Sequence, residues 1–104
     1  MQLHEIDVEQ FATDRRDDAV VLDVRSAEEF TGGHVPGAVN VPLEQVVADP
    51  GRYTGQEVYL ICQSGGRSAK AAQALAAAGA RATSVAGGTA GWIEAGRPVE
   101  SGDR

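Results

Sequence analysis

Short β-branched runs alternate along this chain with segments that read as helices, and that alternation limits the fold more than any other feature. Val20-Val21-Leu22-Asp23-Val24 is nearly continuous in apolar residues, as in a strand covered on both faces. Val58-Tyr59-Leu60-Ile61 repeats the pattern, and Val39 to Val41 and Thr83 to Val85 are shorter versions. Leu3 to Ile6 is expected as a short edge strand. Helix starts lie between these runs. Asp7 precedes Val8-Glu9-Gln10-Phe11, with Gln10 three residues on. Ser26-Ala27-Glu28-Glu29 is a capping box: the Ser26 hydroxyl accepts from the Glu29 amide, and the Glu29 carboxylate reaches back. Ser68 to Ala78 is rich in alanine, the best helix former, and Gly79 suits the left-handed position that ends a helix. Thr89 is expected to cap a last helix through Trp92 to Glu94, which Gly96 and Pro98 stop. Strands alternating with helices predict an α/β fold, a parallel sheet with helices on its faces. Phe11, Phe30 and Trp92 are expected in the core.

The other global features mainly exclude. A chain of 104 residues with no repeat and no linker reads as one domain over 1–104. Hydrophobic content of 42% and charged content of 23% are wrong for a disordered segment. One cysteine makes neither an intramolecular disulfide nor a multi-cysteine zinc site, and His4 and His34 do not have metal-ligand spacing. No apolar run approaches the ~20 residues that cross a bilayer, so no membrane association is expected. Met1 to Gln10 carries Glu5, Asp7 and Glu9 and no base, unlike a secretory or transit segment. A cytoplasmic protein is the expectation. A net charge of -6 argues against nucleic-acid binding, which needs a basic face.

That charge is unevenly placed. Residues 1–57 hold twelve acids and four bases, whereas residues 58–93 hold Arg67, Lys70 and Arg81 and no acid. An alanine-rich helix that happens to lack acids explains this as well as an anion pocket does. The cysteine lies inside the same segment, in Ile61-Cys62-Gln63-Ser64-Gly65-Gly66-Arg67-Ser68. There a buried strand ends, a loop of small residues follows, and a helix begins. Open parallel sheets form their sites at the carboxyl ends of strands. Glycines let successive amides turn toward one centre, and the following helix adds its own unpaired N–H groups. A cysteine at such a loop should ionise easily, and the thiolate is the form that attacks sulfur or phosphorus. A strand-end cysteine by itself reads as a buried, inert thiol. The glycine loop and the acid-free neighbourhood favour a reactive one.

The ordered set of motifs resembles the rhodanese-like family in its single-domain form. The matching pieces are Leu22-Asp23-Val24-Arg25, Glu29-Phe30, Gly33-His34-Val35-Pro36-Gly37-Ala38 and Asn40-Val41-Pro42. Cys62 to Ser68 follows, then Gly87-Gly88, Gly91-Trp92 and Gly96-Arg97-Pro98, so that residues 3–99 are covered. The resemblance implies a rhodanese-like three-layer fold, a five-stranded parallel sheet flanked by helices. It also implies thiosulfate sulfurtransferase activity without a cofactor or metal. Cys62 would take the outer sulfur of a small anionic donor such as thiosulfate, becoming a persulfide. It would then pass that sulfur to cyanide, a thiol or a protein. The amides of Gln63, Ser64, Gly65, Gly66, Arg67 and Ser68 would bind the sulfur, and the Arg67 side chain would favour thiolate and anionic donor. Lys70 is a solvated helix lysine or a steering charge. Asp23 and Arg25 would pair or brace the loop in a supporting role, and His34 would hydrogen-bond backbone in its turn. Gln63 stands where the family often has a basic residue, which removes one charge from the rim. Four residues separate Cys62 from Arg67. The related phosphatases and arsenate reductases have five, a wider cradle that suits a tetrahedral oxyanion. A sulfur carrier or docking module, loaded by a partner such as a cysteine desulfurase, is the alternative. The excess of arginine over lysine, with many alanines and glycines, hints at a bacterial gene.

Overall fold

The helices and strands follow from where apolar side chains find cover. The computed structural model describes residues 4–16 and 18–102. Strands β1 (Glu5–Ile6), β2 (Val20–Asp23), β3 (Val39–Asn40), β4 (Glu57–Ile61) and β5 (Arg81–Val85) form one sheet in the order β1-β5-β4-β2-β3. Every pairing in it is parallel. Leu3, expected to open the first strand, lies outside the described residues. The central strand β4 alternates its side chains between two apolar clusters. Val58, Leu60 and Cys62 face one cluster, and Tyr59 and Ile61 face the other.

Helices complete the two outer layers. Helices α1 (Val8–Asp14), α2 (Ala27–Gly32) and α5 (Gly88–Glu94) cover the Tyr59 face through Val8, Phe11, Phe30 and Trp92. Phe11 is fully buried, edge-on to Tyr59 at 5.2 Å and to Trp92 at 5.8 Å. Helices α3 (Leu43–Ala48) and α4 (Gly66–Ala77) cover the other face through Val46, Ala71, Ala72 and Leu75. The α/β expectation therefore holds, with the three layers. Strand β2 leads to a helix on one face and its neighbour β4 to a helix on the opposite face. Their carboxyl ends consequently flank a crevice, the place where such sheets bind ligands.

The local start signals behave unequally. Asp7 accepts from the Gln10 amide at 2.8 Å, and the Ser26–Glu29 capping box forms in both directions. Gly79 is left-handed at φ 95°, as read. Helix α4 starts at Gly66 rather than Ser68 and has no side-chain cap of its own. Thr89 caps nothing: α5 starts before it, at Gly88, behind left-handed Gly87. Helix α3 and a 3-10 turn over Pro50–Tyr53 lack capping side chains and had no sequence signature.

Candidate active site

Cys62 follows the last residue of β4 and is 1% exposed. The chain turns back over it because Gly65 adopts φ 123°, a conformation that suits glycine. Two amides then reach the sulfur. Gly65 N–H donates to Cys62 Sγ at 3.1 Å and Ser68 N–H at 3.3 Å. Ser68 is the third residue of α4, so the sulfur takes the place of the acceptor that an N-cap side chain would supply. That is why α4 needs no cap of its own. Ser68 Oγ lies 3.5 Å from Sγ and also meets Gly65 O at 3.1 Å and Ser84 Oγ at 2.8 Å. Burial is the strongest influence on the Cys62 thiol and pushes its pKa up. The Ser68 hydroxyl and the Ser68, Gly65 and Ser64 amides outweigh it together, and the pKa settles below the ordinary value. Gln63, Ser64 and Gly66 form an exposed rim above the buried sulfur.

The rear of the loop is held by α5. Thr89 N–H donates to Cys62 O at 2.8 Å and Ala90 N–H to Gln63 O at 3.0 Å. These bonds turn the loop carbonyls away from the sulfur and leave its amides to face it. Gly88 makes the close approach feasible: a Cβ there would overlap Cys62 O and sit 2.7 Å from the Gln63 carbonyl. Gly88, Ala90 and Ser84 were not among the expected site residues. The Gly87-Gly88 pair was visible in the sequence, but nothing local showed what it packs against.

Strand β2 supplies the brace. Arg25 is 3% exposed and grips Asp23 through Nε–Oδ1 at 2.9 Å and Nη2–Oδ2 at 2.8 Å. It also donates to Gly33 O at 2.8 Å and, through Nη1, to Gln63 Oε1 at 3.2 Å. Asn40 Nδ2 donates to the carbonyls of Asp23 and Arg25 at 3.1 and 2.9 Å. Asp23 and Arg25 thus pair with each other, and Arg25 ties the loop at Gln63 to β2.

Arg67 points elsewhere than expected. Its guanidinium donates to both carboxylate oxygens of Glu29 in α2, at 2.8 and 2.9 Å. That hydrogen-bonded partner holds the Glu29 pKa down at about 2, and raises that of Arg67. The acid-free segment of the sequence therefore does not make an acid-free site. The sheet brings Asp23 and Glu29 to it from the acidic half, each matched to an arginine. Lys70 is exposed. His34 is fully buried, stacked on Phe30 at 3.6 Å, with Nδ1 2.8 Å from Phe30 O, the backbone role expected of it. Among the described residues, no group of three or more His, Cys, Asp or Glu could hold a metal, and no helix is long and apolar enough to cross a membrane.

Known proteins resemble this chain in sequence and fold. Thiosulfate sulfurtransferase 16 of Arabidopsis thaliana is 38% identical over 96 residues, covering 77% of this chain and 78% of that protein. A putative sulfur carrier protein of Bacillus subtilis, YrkF, is 38% identical over 74 residues, covering 68% of this chain and 40% of that one. The chain spans less than half the length of some curated relatives it matches. The crystal structure of a rhodanese-related protein from Thermoplasma volcanium superposes with a TM-score of 0.82 at 29% identity, covering 92% of this chain and 96% of that one. The model of the rhodanese-like domain matches residues 7–95, a span that takes in the Cys62 loop, its β2 brace and the α5 glycines, and the chain belongs to that family.

Proposed function

We propose that this chain is a sulfurtransferase that carries a sulfane sulfur as a Cys62 persulfide. The observation that carries the reading is the buried Sγ facing the Gly65 and Ser68 amides and the Ser68 hydroxyl. These donors are fixed before reaction around a sulfur that is 1% exposed, and such preorganised donors stabilise a sulfur anion. The thiolate attacks the outer sulfur of thiosulfate. A bond forms between the two sulfurs while the donor's own S–S bond breaks, and the electron pair leaves on sulfite. Charge is conserved, and the negative terminal sulfur of the persulfide lies over the loop amides from Gln63 to Ser68. A thiophilic acceptor, such as cyanide, a thiol or a protein, then attacks that outer sulfur and restores the thiolate. Gln63 and Ser64 form the rim past which donor and acceptor arrive. Asp23 and Arg25 hold the loop in register. The chemistry needs a reduced thiol, which fits a cytoplasmic setting.

One observation favours a second reading, that of a sulfur carrier loaded by a protein donor such as a cysteine desulfurase. Arg67, the cation expected to attract a free anion, is already paired with Glu29. The experiment is steady-state formation of thiocyanate from thiosulfate and cyanide. Cys62→Ser should abolish it, and turnover by that variant would overturn the mechanism. A wild-type protein that ignores thiosulfate but accepts sulfur from a desulfurase would favour the carrier.

A further inference from the structure

The Glu29–Arg67 pair takes no part in the sulfur transfer just described, yet it borders the loop that performs it. Arg67 is the second residue of α4, next to Ser68, whose amide meets the Cys62 sulfur. The two side chains are 40% and 36% exposed, and a pair so exposed contributes little to stability. Its bidentate geometry has a clearer consequence. Glu29 fills the fork of the guanidinium, the edge that a sulfonate or carboxylate would otherwise take. The Ser26 amide and hydroxyl each meet Glu29 Oε1 at 3.1 Å, which keeps the carboxylate facing Arg67.

The geometry points to Glu29 as a specificity-determining residue: its carboxylate competes with the donor for Arg67 and biases the site away from doubly charged sulfur donors toward donors of lower charge. This rests on the sulfur transfer proposed above. For thiosulfate the electron pair leaves on sulfite. For a singly charged alkanethiosulfonate it leaves on the sulfinate, and in both cases Cys62 keeps the outer sulfur and the negative charge. An Arg67 guanidinium freed from Glu29 attracts a donor in proportion to the donor's own charge. The gain for a dianion should then be the square of the gain for a monoanion.

The test measures Cys62 persulfide formation with thiosulfate and with methanethiosulfonate, for wild type and Glu29→Gln, at low and high salt. Glutamine keeps an oxygen for the Ser26 amide, so α2 retains its cap; Glu29→Ala is run beside it, and melting curves check folding. The expected change is about fivefold in kcat/KM for thiosulfate and about twofold for methanethiosulfonate, mostly in KM and shrinking at high salt. On an Arg67→Gln background the extra gain for the dianion should largely vanish. An equal change for both donors, or a loss with thiosulfate, would overturn the role of Glu29. So would an undiminished gain without Arg67. A wild-type protein that forms no persulfide with either donor would sink the sulfur-transfer reading itself, and this inference with it.

Discussion

Ser68 has one hydroxyl proton and three neighbours placed to receive it: Cys62 Sγ, Gly65 O and Ser84 Oγ. When Cys62 is a thiol, that proton goes to the Gly65 carbonyl. When Cys62 ionises, the same proton can turn to the sulfur while Ser84 supports Ser68 from behind. Ser68→Ala should therefore raise the Cys62 pKa, because the thiolate loses one hydrogen-bond donor. The pH-dependence of alkylation by iodoacetamide reports it. In the wild type the midpoint should lie below that of an ordinary cysteine. An unmoved midpoint in the variant would remove Ser68 from the set of thiolate donors. Glu29 offers a second titration. Its folded pKa is about 2 against an ordinary 4.5, so the stability it contributes is complete above the ordinary value and is lost as pH falls through the lower one. Arg67→Ala should bring the Glu29 carboxyl back toward 4.5, followed by NMR. A value still near 2 would assign the shift to Ser26 instead.

Among the elements, α4 and α5 both direct their first amides at the Cys62 loop. One set meets the sulfur from the front, and the other meets the carbonyls from the rear. Gly88→Ala tests the rear contact, because its methyl would press on backbone rather than on a side chain that could swing aside. We expect a loss of about 2 kcal/mol or more in denaturant unfolding and at least a tenfold slower persulfide formation. Gly66 has open space at its Cβ and no left-handed backbone, so Gly66→Ala should stabilise by about 0.5 kcal/mol. Equal unfolding curves for the two variants would deny the special place of Gly88. The same contacts explain which boundaries could be read in advance. Ser26 and Glu29 cap α2 from within, and the sequence displayed that start plainly. The starts of α4 and α5 are satisfied by atoms of Cys62 and Gln63, which leave no signature beside the helix they serve. Thr89 illustrates the difference. It has a capping side chain at a helix start, yet its amide, not its hydroxyl, does the work, and Thr89 Oγ1 is left without a partner.

Over the whole molecule, the sheet order decides which charges meet. Strand β2 lies beside β4, so Asp23 and Arg25 stand next to the Cys62 loop although they are distant in sequence. Helix α2 follows β2 and delivers Glu29 to Arg67. The α/β class, the strand runs and the Cys62 loop were readable because each is a local pattern. The pairing of Arg67 was not, because a count of charges along the chain carries no information about which strands are neighbours. The single cysteine has a consequence at this scale as well. With no second thiol in the chain, a loaded Cys62 has no internal route of discharge, and its burial keeps it from a loaded neighbour. Intact-mass spectrometry after brief exposure to thiosulfate or a desulfurase therefore tests the central claim most directly. The prediction is a gain of one sulfur atom that persists after the donor is removed, disappears on adding cyanide or a thiol, and is absent from Cys62→Ser. No added sulfur with either donor, or sulfur retained by Cys62→Ser, would contradict it.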